Sequence, residues 1–404
     1  MRSPVTEYLD AVRESCIADG DDGEVASYIP ELAEADPDLF GLAMCTIDGT
    51  VYASGDAEHR FTIQSLSKPF AYALALADRG RDEVLRFVGV EPSGDPFNEI
   101  SLEDNGRPRN PMINIGAITT HALVGPEGAT AEESTERVRA GLSAFAGRQL
   151  EVDEAVCASE RETADRNMAL AYLVRARGKL QDEPHDAVDG YTRQCSLLVD
   201  VRDLAVMAMT LASGGRNPVT GEQVVSARVC TQVLSVMATC GMYDAAGDWM
   251  TSVGIPAKSG VSGGLLGSLP GQVGIGAFSP RLDGFGNSVR GVRACERLSE
   301  DMGLHLMQAP EVAAHVLYGV VEPDDDADRM REVKLQGVMH FAAAEAALRE
   351  LAEVPEDGAP LVVDLSRVSS ANGVGRRMLR EGVRRLRQDG HEVRVEDPDG
   401  ILED

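Results

Sequence analysis

The chain has 404 residues, 38 basic and 66 acidic, with a formal net charge of −28 and 43% hydrophobic residues. That composition supports large packed cores, and the length exceeds what one core usually serves, so two domains are expected. The acidic balance repels nucleic acid and anionic membrane surfaces and argues against both as partners.

Pro4 to Ala18 reads as an opening helix, after a start that lacks the apolar core of a signal sequence. Leu42 to Gly55 alternates around Asp48-Gly49, a hairpin signal. A helix is expected from about Ser67 to Arg79, and the stretch from about 115 to 245 is helix-rich, with turns at GPEGAT, ASGGRNPVTGE and DAAGD. Strands return at Leu265 to Leu269 and Val273 to Phe278 around Pro270-Gly271, and an amphipathic helix covers Val289 to Met302. Strands near both ends with helices between predict an α+β domain over residues 1–310, one sheet with a helical insertion. Residues 311–328, with EPDDDAD from Glu322 to Asp328, read as a solvated acidic linker. Beyond it strand and helix alternate through REVKLQGVMHF, AAAEAALREL, LVVDLSRV, GVGRRMLREGVRRLRQDG and HEVRVED. Residues 329–404 are therefore expected to form a small α/β module.

No stretch approaches the ~18 apolar residues of a membrane span. The seven cysteines (16, 45, 157, 195, 230, 240 and 295) are scattered without a CxxC pair, and the seven histidines show no HxH or HxxxH spacing. The expectation is free buried thiols, a cytoplasmic location and no metal.

Only four basic residues are lysine: Lys68, Lys179, Lys258 and Lys334. Arginine solvates and pairs at least as well, but only lysine readily gives up its proton inside a protein. In FTIQSLSKPF, Ser65 and Lys68 lie three apart at a helix start and project from one face. A serine hydroxyl needs a base to become a nucleophile, and burial at a helix N-terminus lowers a lysine's pKa towards that role. SxxK alone is a weak signal, and the adjacent Ser67 reads as a cap or a helix-facing polar residue. In PAKSGVSGGLLGSLPG, Lys258-Ser259-Gly260 precedes a glycine-rich strand and resembles the KTG element of serine acyltransferases. Bare backbone there can face a substrate and its oxyanion.

With these motifs in place, residues 5 to 308 resemble the serine-dependent glutaminases, which share the fold of serine β-lactamases and penicillin-binding proteins. The resemblance rests on ordered motifs: FTIQSLSKPF, RPRNPMINIGAI, ASERETADRNMALAYL, DGYTRQCSLLVD, TCGMYDAAGDW, PAKSGVSGG and FSPRLDGFGNSVRGV. Ile115 stands where NAGA is usual and Ser262 where glycine is usual. The resemblance implies Ser65 as nucleophile and Lys68 as its base. It implies that Asn114, Glu160, Asn167 and Tyr191 hold the amino-acid end of glutamine. Tyr243 would sit beside the nucleophile and Val261 would offer its backbone N–H to the oxyanion. The residue types suit the task, since Glu160 can pair with an ammonium while amides and a phenol donate to a carboxylate. Glu160 and Asn167, seven apart, are expected to share one helix face, and Arg166 between them reads as an ion-pair residue. Lys258 is expected to keep its charge and favour anionic groups in the cleft. No cofactor is required, and Lys68, Tyr191 and Tyr243 remain alternatives for the individual proton transfers.

Residues 329–404 resemble a STAS domain through VKLQGVMHF and VVDLSRVSSANGVGRRML. Where that family often carries a phosphorylatable serine, Gly373 stands here, with Ser369 and Ser370 just before the turn. The resemblance thus implies a binding or oligomer-bracing module with an unknown protein partner. The glutaminase resemblance implies a homodimer or homotetramer. Two rival classes share part of the pattern. A penicillin-recognising serine hydrolase would need export and an SxN-type motif. A regulatory amino-acid-binding protein would not need Ser65, Lys68 and Tyr243 intact.

Overall fold

The computed structural model describes residues 3–19, 23–93, 100–308, 317–321, 330–339, 341–355 and 359–403. The chain divides into two compact units, Met1–Gln308 and Ala309–Asp404.

In the first unit, β1 (Gly41–Thr46), β2 (Val51–Gly55), β3 (Ala257–Ser259), β4 (Gly264–Leu269) and β5 (Val273–Phe278) form one antiparallel sheet of order β2-β1-β5-β4-β3. The expected sheet from both chain ends is therefore present, with the KSG segment as its edge strand. The Asp48-Gly49 turn uses a left-handed Gly49 at φ +86° and the Pro270-Gly271 turn a Gly271 at +71°, which only glycine adopts without strain. The helices that matter here are α1 (Pro4–Ala18), α2 (Lys68–Arg79), α3 (Asn114–His121), α4 (Glu154–Glu162), α5 (Asp165–Ala176), α6 (Pro184–Cys195), α7 (Val201–Ala212) and α8 (Val289–Met302).

β4 and β5 are buried along their whole length because helices cover both faces. On one face α1 and α8 contribute Leu9, Val12, Cys16, Ala294, Cys295 and Leu298 to a core with Leu42, Leu265 and Ile275. On the other lies α7, and two glycines of β5 let it approach. A Cβ on Gly274 would stand 2.2 Å from the Ala205 carbonyl, and one on Gly276 2.3 Å from that of Val201. Helix α7 starts at a capping box, in which Asp200 accepts from the backbone of Arg202 and Asp203 while Asp203 accepts from Asp200 N–H at 2.9 Å. The helical insertion has its own core, including Ile113, Ile118, Leu170, Val174, Val188 and Tyr191.

Two local expectations are corrected. DAAGD is not a turn: Tyr243–Ala245 forms a 3₁₀ helix and Ala246–Ser252 an α-helix. Nothing lies within 4 Å of where a Cβ on Gly247 would be, so this glycine serves no close approach and marks no turn. The SERETADRN segment is not one helix, since α4 ends at Glu162 and α5 begins at Asp165. Thr163 turns its hydroxyl back to the Ser159 carbonyl at 3.1 Å at that break.

The second unit is a four-stranded sheet of order β6-β7-β8-β9, from β6 (Leu317–Val321), β7 (Arg331–Met339), β8 (Leu361–Ala371) and β9 (Val393–Glu396). β7, β8 and β9 are parallel, joined by α9 (Phe341–Ala352) and α10 (Gly373–Gln388), and β6 adds antiparallel to β7. Strand β6 corrects the linker expectation: Leu317, Gly319, Val320 and Val321, inside 311–328, pair with β7 of the sheet. The acids of EPDDDAD dominated the reading of that stretch, and they lie outside the described residues. A Cβ on Gly382 would come within 2.1 Å of Leu348 Cδ2, so glycine lets α9 and α10 pack closely. Asn372 caps α10, accepting from Gly375 N–H at 2.8 Å. Among the described residues, Glu332, Asp364 and Glu396 are the one acidic or thiol/imidazole group close enough to share a cation, and Lys334 already lies 2.8 Å from Glu332. No described helix is long and apolar enough to cross a membrane.

Candidate active site

The segment that carries Ser65 is a 3₁₀ turn, Gln64–Ser67, that runs directly into α2. Pro69 suits the first turn of that helix, where its missing N–H costs nothing. Residues 68–76 are all buried, so α2 is a central helix packed on every side. It places Ser65 at a cavity and Lys68 beneath it.

Lys68 is 1% exposed, and its Nζ lies 2.9 Å from Ser65 Oγ and 2.7 Å from Asn114 Oδ1. Burial pushes its pKa down to about 8. Asn114 passes the contact on, donating through Nδ2 to Asn167 Oδ1 at 3.2 Å and accepting from Tyr191 OH at 3.4 Å. The Glu160 carboxylate accepts from Tyr28 OH at 2.7 Å and Gln64 Nε2 at 3.1 Å. Burial pushes Glu160 above the usual carboxylate range, and those two hydrogen bonds oppose the shift.

Ser65, Asn114, Glu160, Asn167, Tyr191 and Val261 line one cavity of about 330 Å³. Glu160 and Asn167 meet there from consecutive helices, α4 and α5, and not from one helix face as expected. Tyr243 reaches Ser65 from the side, with its phenol hydrogen-bonded to Ser65 and donating to the Ser259 carbonyl at 3.1 Å. Burial pushes Tyr243 up to about 12 and Tyr191 well above the ordinary phenol value, so both are protonated donors near neutral pH. Tyr243 is a left-handed residue at φ +54°, a strained backbone of the kind found at functional sites.

Lys258 departs from expectation. It is fully buried, its Nζ lies 3.8 Å from the centroid of the Tyr243 ring, and it donates to the Ser259 carbonyl at 2.8 Å. Burial and then the Lys68 cation hold its pKa well below the usual lysine value, and it is not among the residues that line the cavity at Ser65. Strand β3 is closed over on both sides, which the sequence around KSG does not reveal.

Sequence reasoning missed Tyr28 and Gln64 as wall residues of the cavity. Gln64 had a signal, its place next to Ser65; Tyr28, in a short segment without periodicity, had none. Arg166, read as an ion-pair residue, lines the same cavity. So does Cys195, whose thiol burial pushes up to about 12, which removes it as a nucleophile at neutral pH.

A family model described as Glutaminase matches residues 23–307. A glutaminase of Corynebacterium efficiens is 50% identical over 402 residues, 99% of this chain and 94% of that protein. A glutaminase of Trichormus variabilis is 52% identical over 292 residues, 72% of this chain and 87% of that protein. The crystal structure of Mglu superposes with a TM-score of 0.90 at 49% identity, covering 100% of both chains, and Mglu has also been solved in a glutamate form.

Proposed function

The chain belongs to the glutaminase family and hydrolyses L-glutamine to L-glutamate and ammonia; we propose that it does so through a γ-glutamyl ester on Ser65, with Lys68 as base. Ser65 Oγ attacks the side-chain amide carbon as its proton passes to Lys68 Nζ. The C–N bond of the tetrahedral intermediate then breaks, and the leaving nitrogen takes a proton to depart as ammonia. Water hydrolyses the ester, releasing glutamate and the free serine. The backbone N–H groups of Ser65 and Val261 are the donors assigned to the oxyanion, each typically worth about 3 kcal/mol.

The observation that carries this reading is the buried Lys68 to Ser65 contact of 2.9 Å, from a lysine whose pKa lies near 8. At pH 7 such a group is neutral in about one molecule in ten, whereas a phenol of pKa about 12, like Tyr243, is ionised in about one in 10⁵. Lys68 is therefore the base and Tyr243 a donor. Asn114 Oδ1 accepts one Lys68 N–H and so turns the lysine lone pair towards Ser65. Glu160 takes the substrate ammonium, while Asn114, Asn167 and Tyr191 hold its carboxylate end. No cofactor enters the scheme. The penicillin-recognising and purely regulatory alternatives are not favoured for a chain matched to glutaminases over nearly its whole length.

The test is ammonia release from L-glutamine by the purified chain and by Ser65→Ala. The variant should lose at least about 10⁴-fold in kcat, as removal of a serine nucleophile does. Retained turnover would remove Ser65 from the mechanism.

For residues 329–404 we propose a STAS-like binding or bracing module, supported by the parallel sheet with alternating helices and by the Asn372 cap at the turn before α10. The first unit is proposed to share the β-lactamase-like plan, supported by its five-stranded antiparallel sheet and helical insertion. A cytoplasmic setting is supported by seven buried free thiols. A homodimer or homotetramer rests on the family resemblance alone; light scattering of the purified chain decides it.

A further inference from the structure

We propose that His121 is a positioning residue for the nucleophile: a one-way hydrogen-bond chain from its imidazole through Gln194 and Ser67 holds the Gln64 carbonyl and so fixes the turn that presents Ser65. The inference rests on the reading of Ser65 as nucleophile.

His121 Nδ1 lies 2.8 Å from Gln194 Oε1, Gln194 Nε2 donates to Ser67 Oγ at 2.9 Å, and Ser67 Oγ donates to the Gln64 carbonyl at 2.7 Å. All three side chains are at most 2% exposed. One arrangement satisfies these three bonds; the longer contact of His121 Nε2 with Thr135 Oγ1, 3.3 Å, stands outside it because Thr135 donates to the Ala131 carbonyl. Ser67 has a single proton, and it goes to Gln64. The Gln194 amide nitrogen must then serve Ser67, which leaves its oxygen for His121, and the imidazole must carry its proton on Nδ1. Burial keeps that ring neutral, with its pKa down at about 4.

The far end of the chain is a strained point. Gln64 adopts φ +47°, left-handed for a residue with a Cβ, and such a backbone persists only where its surroundings impose it. The near end is built to measure. A Cβ on Gly190 would stand 2.3 Å from His121 Nε2 and 2.5 Å from Thr135 Oγ1, so glycine in α6 admits the ring. The same helix carries Tyr191 at the cavity and Gln194 behind Ser67, which ties the substrate wall to the nucleophile turn. His121 itself is not part of the cavity wall.

The experiment measures kcat and KM for L-glutamine in the full chain carrying His121→Phe, His121→Asn, Ser67→Ala or His121→Phe with Ser67→Ala, beside Ser65→Ala. His121→Phe should lower kcat on the order of 100-fold with KM within about threefold, the effect of a slightly misplaced nucleophile. His121→Asn, whose amide N–H can replace the Nδ1 donor, should recover about tenfold of that loss. The double variant should cost no more than the worse single, because both break one chain. Multiplying effects, equal losses in Asn and Phe, a loss confined to KM, or wild-type kcat in His121→Phe each overturn the proposal. If His121→Phe does not fold, Gln194→Glu preserves volume and the acceptor for His121 but removes the donor to Ser67. It should lose kcat to the same degree, and wild-type kcat there overturns the proposal. Turnover by Ser65→Ala would instead overturn the nucleophile reading itself.

Discussion

Residues 3–308 bury Lys68, Lys258, His121, Gln64 and Gln194 at 4% exposure or less, whereas among the described residues beyond 308 only Arg331 and Asp364 are buried and polar. The second unit keeps an aliphatic core of Val333, Leu335, Val363, Leu365, Leu379 and Val383. Burying a cation without a carboxylate beside it costs stability, so a fold retains one where chemistry needs it. The first unit carries that cost around Ser65, whereas in the second the one buried cation among the described residues, Arg331, lies at the start of β7 and donates to the Pro355 carbonyl.

The largest effect expected from this contrast is at Lys68. Lys68→Met should lower kcat about 10³-fold or more and yet raise stability near neutral pH. The unfolded chain holds this proton up to about the ordinary lysine pKa of 10.5, the folded chain only to about 8. Wild-type stability attributable to this group is therefore lowest below pH 8 and recovers as pH rises towards 10.5. The variant's advantage, on the order of 3 kcal/mol at pH 7, should shrink across that window in denaturant titrations. A variant less stable than wild type at pH 7 would break the contrast. The same ionisation should make wild-type kcat/KM climb with pH until about 8.

Glu160→Gln comes next. It keeps an acceptor for Tyr28 and Gln64 but loses the charge that faces the substrate ammonium. KM for L-glutamine should rise about thirtyfold or more, corresponding to about 2 kcal/mol, with a smaller change in kcat. An unchanged KM would show that the ammonium binds elsewhere.

The smallest expected effect on catalysis lies in the second unit. Leu365→Ala removes a fully packed side chain and should cost that unit about 2–5 kcal/mol, read by denaturant unfolding, while kcat stays within about twofold. A parallel fall in kcat would show that the second unit braces the site.

Much of the fold was legible along the chain. The opening helix and the helix Val289–Met302 were placed to the residue, and the hairpin around Asp48-Gly49 was identified from alternation and a glycine turn. Local period and turn chemistry carry these elements. Errors came where charge masked a strand, as at Leu317–Val321, or where no glycine or proline announced a break, as at Thr163 and Ala164.

For the site, the family resemblance supplied Ser65, Lys68, Asn114, Glu160, Asn167, Tyr191, Tyr243 and Val261 as expectations, and the fold brings six of them, Ser65, Asn114, Glu160, Asn167, Tyr191 and Val261, to one cavity. Other features depend on contacts between distant segments. Tyr28 meets Glu160 across 132 residues, and Gln194 meets Ser67 across 127. Lys258 looked like a cleft cation until its burial against Tyr243 was seen. Residue type and spacing determine which groups can react. Desolvation, which lowers the lysine pKa and keeps the phenols protonated, depends on every atom packed around a group, and only the tertiary structure decides it.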